Sequence, residues 1–147
     1  MKKTIIVLFC IFIAIIISLY TYYQSTQSVL QGVKKFNYQF EQYFDKEIYG
    51  ADVVTIMSKA IDNNNQYNIA RNEENKFIED NKYCLKVMIK FKDVDKIFDM
   101  ESIEKSGIDG FMQNFSKSTF KIIEYKYNEE SKRIGKIVIE EIQIGNI

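Results

Sequence analysis

Residues 5–19 form an uncharged run in which twelve of fifteen side chains are Ile, Val, Leu or Phe. A run this apolar and free of charge reads as a membrane-spanning helix. Each of those side chains favours membrane insertion by about 0.3 to 0.6 kcal/mol near a helix centre, so the sum is strongly favourable. The stretch 4–23 spans 20 residues. As a helix it is about 30 Å long, the thickness of a bilayer core. Tyr20, Tyr22 and Tyr23 fall where an interfacial aromatic belt belongs, and Lys2 and Lys3 flank the other end. No basic residue follows until Lys34 and Lys35, so the charge bias predicts a cytoplasmic amino terminus.

Three other uses of an apolar amino-terminal segment fit less well. A cleaved signal peptide has a shorter run closed by small residues, whereas Thr26-Gln27-Ser28, the nearest such site, lies far from it. A lipoprotein needs a small residue before its cysteine, and Cys10 follows Phe9. A type IV prepilin carries a glycine or alanine processing site ahead of the helix and a glutamate soon after, and neither is present. The expected organisation is a cytoplasmic stub and transmembrane anchor over residues 1–23, then one extracytoplasmic α+β domain over 24–147. Within the anchor, Cys10, Ala14 and Ser18 recur every fourth residue among bulky neighbours, a spacing that lets a second helix approach closely in lipid.

Beyond the anchor the hydrophobic period changes several times. Apolar residues at 29, 33, 36, 40 and 44 predict an amphipathic helix to about residue 47, continuous with the anchor if 24–28 stays helical. Gly50 is expected to stop it, with Asp52 capping a second helix whose core side is Val53, Ile56, Met57, Ala60 and Ile61. Asp62-Asn63-Asn64-Asn65 reads as its polar end, and 66–82 as a loop. Leu85, Val87, Ile89 and Phe91 alternate with Lys86, Met88, Lys90 and Lys92, the period of a half-buried strand with an edge or solvated lysine face. A turn over 93–99, a third helix through Ile103, Gly107, Ile108, Phe111 and Phe115, and a hairpin of 120–127 with 133–142 complete an α+β fold. The fold class expected is a small antiparallel sheet packed against helices.

The chemistry available is limited. With no histidine, histidine triads, general bases and metal sites are excluded. Two cysteines without a CxxC exclude a zinc knuckle and a disulfide framework. Asp93, Asp95, Asp99, Glu101 and Glu104 begin like a calcium loop, but they lack its third early ligand and its glycine and read as a solvated turn and helix start. The six glycines never cluster as a phosphate-binding loop. Cys84 lies on the lysine side of its strand, where positive charge can activate a thiol; the simpler expectation is an inert residue. Phe36, Phe40 and Phe44 with Tyr43 read as core. Residues 24–147 carry eighteen basic and twenty acidic groups, which argues against a nucleic-acid surface. No catalytic, cofactor-binding or metal residue emerges.

Phe36-Asn37, Gln39-Phe40 and Tyr43, followed by Gly50, Val53 and the Asn63 to Asn65 turn, resemble small single-span exported proteins of low-GC Gram-positive bacteria. The resemblance covers about residues 1–65 and implies an anchored exported domain without a known activity. A lysine-to-arginine ratio of eighteen to two, with Ile, Lys and Asn over a third of the chain, fits an AT-rich bacterial genome. The layout of membrane helix, rod and small sheet is similar to that of pilins and pseudopilins. The expectation is a non-enzymatic single-pass envelope protein with no cofactor, its partners the lipid bilayer and a second copy or another membrane protein. A ligand-binding or sensing module is the alternative.

Overall fold

The computed structural model describes residues 2–79, 81–94 and 96–143. The chain forms two compact units, Met1–Phe36 and Asn37–Ile147. Helix α1, Lys2–Glu41, makes up the described part of the first unit, is unbroken through residues 24–28, and contributes its last five residues to the second.

α1 ends earlier than the apolar spacing predicts. The amides of Tyr43 and Phe44 bond three residues back, to the carbonyls of Phe40 and Glu41, tightening the last turn. Asp45 then takes a left-handed conformation (φ 56°), which aspartate tolerates, and the chain turns into strand β1, Glu47–Tyr49. Gly50 is therefore not a helix stop but the first residue of α2, Gly50–Gln66. Asp52 sits in the first turn and accepts a hydrogen bond from the Tyr49 amide at 3.0 Å. Val53, Ile56, Met57, Ala60 and Ile61 are buried as expected, but α2 continues through the asparagine cluster, and Asn63 and Asn64 are buried with them.

The remaining elements are β2 (Lys86–Lys90), β3 (Ile97–Asp99), α3 (Met100–Ser106), α4 (Ile108–Phe115), β4 (Thr119–Tyr127) and β5 (Ile134–Gln143). The expected turn over 93–99 thus ends in a short strand. The expected third helix is two, parted at Gly107, whose φ of 97° is a conformation open to glycine. The fold is α+β, as the sequence predicts, with one sheet of order β1-β4-β5-β2-β3. That sheet is mixed rather than antiparallel. The β2–β3 hairpin occupies one side of β2, and the β4–β5 hairpin, delivered by α3 and α4, lays β5 parallel along the other. β2 is consequently interior, and its lysines do not guard an edge.

The predicted register of β2 holds. Val87 and Ile89 pair with Ile137 and Ile139, Ile139 pairs in turn with Ile122 of β4, and all five are buried on one face. α2 packs against β1, β2 and β4, and also against α4. Phe44 stacks on Tyr125 at 4.1 Å. The Tyr127 hydroxyl donates to Glu41 at 2.8 Å; partial burial and this bond push the phenol up to about 12.

Candidate functional site

Lys2, Lys3, Cys10, Ala14, Ser18, Tyr20, Tyr22 and Tyr23 are all exposed on α1. α1 is long and apolar enough to cross a membrane, and none of its apolar window is buried. Cys10, Ala14 and Ser18 follow one side of the helix. The Ser18 hydroxyl donates to the Ala14 carbonyl at 2.8 Å, so this polar group is satisfied within the stripe itself.

The acidic cluster between 93 and 104 does not converge on one point. Asp95 lies outside the described residues, and Asp93 is exposed. Asp99 pairs with Lys76 at 3.0 Å, and Glu104 with Arg71 at 3.1 Å. The bond that Lys76 donates to Asp99, seconded by one to Glu74, raises its ammonium above its usual value. Glu101 is not solvated as expected. Its side chain is 3% exposed and accepts from Lys86 at 3.0 Å and from the Phe77 amide at 3.1 Å. The acids thus fix the loop after α2 against α3 and β2. Among the described residues no group of three or more His, Cys, Asp or Glu is placed to hold a metal. Cys84 is buried, so it lacks the solvent access that a reactive thiol needs.

Two asparagine clasps went unforeseen in the sequence. Asn64 presents its amide to Leu85 as a neighbouring strand would, accepting from the Leu85 amide and donating to its carbonyl, both at 2.9 Å. Asn37 does the same around the β4–β5 turn, donating to the Lys132 carbonyl and accepting from the Ile134 amide, both at 3.0 Å. Beside the first clasp, Asn63 donates to the Tyr83 carbonyl and accepts from Arg133 at 2.7 Å. The Arg133 guanidinium lies over the rings of Tyr67 and Tyr83, which stack on each other at 4.5 Å. The signal for Asn64 was available, because the core stripe 53, 56, 57, 60, 61 extended by one turn reaches residue 64.

Among the described residues, an arrangement resembling a ligand site is a cleft of about 770 Å³ between the β2–β3 hairpin and the α3–α4 pair. Its apolar wall holds Phe91, Phe98, Phe111 and Phe115, with ring centroids 4.6 to 6.2 Å apart along the cluster. Glu141 forms part of the same wall. It follows Ile137 and Ile139 on the buried face of β5 and pairs with Phe120, so a carboxylate stands where the period calls for an apolar residue. That break in the period is legible in the sequence. Comparison with family models, curated proteins and solved structures finds no match for the chain.

Proposed function

We propose that the protein is a non-enzymatic, single-pass membrane protein that displays residues 24–147 outside the cytoplasm as an interaction domain, a structural or assembly component of the cell envelope. The observation that carries this reading is α1, whose apolar window is wholly exposed and as long as a bilayer is thick. Lys2 and Lys3 fit the cytoplasmic flank, and Tyr20, Tyr22 and Tyr23 the opposite interface. A water-soluble fold would leave the run at residues 5–19 uncovered. The Cys10, Ala14, Ser18 stripe gives the span a surface for a second copy.

Assembly through that stripe has a direct test. Oxidation of native membranes is expected to join two chains through Cys10, and leucine at both Ala14 and Ser18 to abolish the product by separating the backbones. Equal crosslinking in the double variant would contradict assembly through this face. A second reading, a ligand-binding module, is favoured by the aromatic cleft beside Glu141.

A further inference from the structure

We infer that the cleft between the β2–β3 hairpin and α3–α4 binds a small organic ammonium carrying an aromatic or short alkyl body, with Glu141 as the counter-ion. The inference rests on the ligand-binding reading and names its ligand class. It concerns residues 37–147 and holds whichever side of the membrane they face.

Glu141 carries the argument. The residue is 4% exposed, and its two carboxylate oxygens are treated differently. Oε2 accepts from the Lys92 amide at 3.3 Å, whereas Oε1 is buried with no hydrogen-bond partner among the described residues. A buried acceptor without a donor is costly, and for a carboxylate more so than for a neutral group. The chain's own cations beside the cleft are turned elsewhere. Lys76 is held by Asp99 and Glu74, and the Lys96 ammonium lies 5.4 Å from the centre of the Phe98 ring. The Lys92 ammonium donates to the Ile142 carbonyl at 3.2 Å. None of these cations neutralises Glu141, so its charge is left for a cation in the adjoining cleft to balance.

The surroundings restrict what that cation can be. A buried carboxylate attracts a cation across the cleft wall, the more strongly for the low dielectric around it. Four phenylalanines line the same space, and their ring faces attract a cation and pack an apolar body. The volume is within the range of small-molecule pockets, which runs to about 1,000 Å³. Gly110, on the α4 side of the cleft, has open space where a Cβ would stand, with nothing within 4 Å.

The test uses the full chain in lipid nanodiscs, with empty nanodiscs subtracted, titrated calorimetrically at neutral pH. The probes are 2-phenylethylamine, the neutral 2-phenylethanol and the anionic 3-phenylpropionate. The amine is expected to bind saturably and at least about tenfold more tightly than either analogue. Glu141→Gln, which keeps the shape and removes the charge, should weaken it at least about tenfold. Gly110→Leu, which fills the open space on the α4 side and leaves Glu141 in place, should block it. Thermal transitions no lower than the parent's in both variants separate loss of the site from loss of the fold. Equal amine binding in Glu141→Gln, or preferential binding of the alcohol or the acid, overturns the ligand class while leaving a ligand-binding module standing. No saturable binding of any probe overturns both.

Discussion

Asn64→Ala is expected to destabilise the second unit by about 2 to 5 kcal/mol. Its side chain holds both backbone groups of Leu85 at 2.9 Å, and Asn64 and Leu85 are each 0% exposed. Truncation leaves a buried N–H and a buried C=O without partners, and each orphan costs about 1 to 3 kcal/mol. It also removes the acceptor that Asn63 uses at 3.1 Å, loosening the residue that holds Arg133. Asn64→Asp should not rescue the fold, because a carboxylate can accept from the Leu85 amide but cannot donate to its carbonyl. Hydrogen exchange of a peptide covering residues 83–90 reads the effect where it arises. Exchange there should quicken at least about thirtyfold, corresponding to the low end of the range at 1.4 kcal/mol per factor of ten. Exchange as slow as in the parent would show that the clasp contributes nothing.

Gly50→Ala should cost about 3 kcal/mol or more, against an ordinary expectation of slight gain. A side chain at a helical glycine reduces the freedom of the unfolded chain and stabilises by about 0.4 to 1 kcal/mol where it fits. At Gly50 it does not fit, because a Cβ would stand 2.2 Å from the Phe115 carbonyl oxygen and 2.8 Å from its carbon. Both are backbone atoms at the end of α4, so no rotamer relieves the overlap and α2 and α4 must part. Gly110→Ala is the control. It lies inside α4 with open space around its Cβ and should stabilise by up to about 1 kcal/mol. Urea-dependent proteolysis of the full chain in nonionic detergent reports both variants. Similar effects at the two glycines would refute the close approach of α2 to α4.

The contrast between these glycines marks how far the sequence could be read. Periodicity located α2, β2 and the β4–β5 hairpin, because each has a single dominant period and a buried face to satisfy. It failed where a short element is defined by its neighbours. β1 and β3 are three residues each, and nothing in Glu47–Tyr49 or Ile97–Asp99 alone distinguishes a strand from a turn. Gly50 was misplaced because the expected helix stop and the observed helix contact make the same demand for a missing side chain. The asparagines after Ile61 look like a polar helix end, and only the third dimension shows that they satisfy the entry to β2. Glu141 is the opposite case, since its place on an otherwise apolar face was visible and its unpartnered oxygen was not. The parallel pairing of β2 with β5 follows from how α3 and α4 return the chain, which no local pattern encodes.

The most direct measurement for the account as a whole follows the fate and orientation of the intact chain in cells. Membranes washed with alkaline carbonate should retain a polypeptide of the full 17.4 kDa mass. Protease added outside intact protoplasts should degrade it from about residue 24 onward, sparing a fragment that contains Cys10. Recovery from the soluble or secreted fraction without its first two dozen residues would contradict the tether. A chain resistant to external protease until the membrane is broken, in a fold that the same protease digests once exposed, would contradict its orientation.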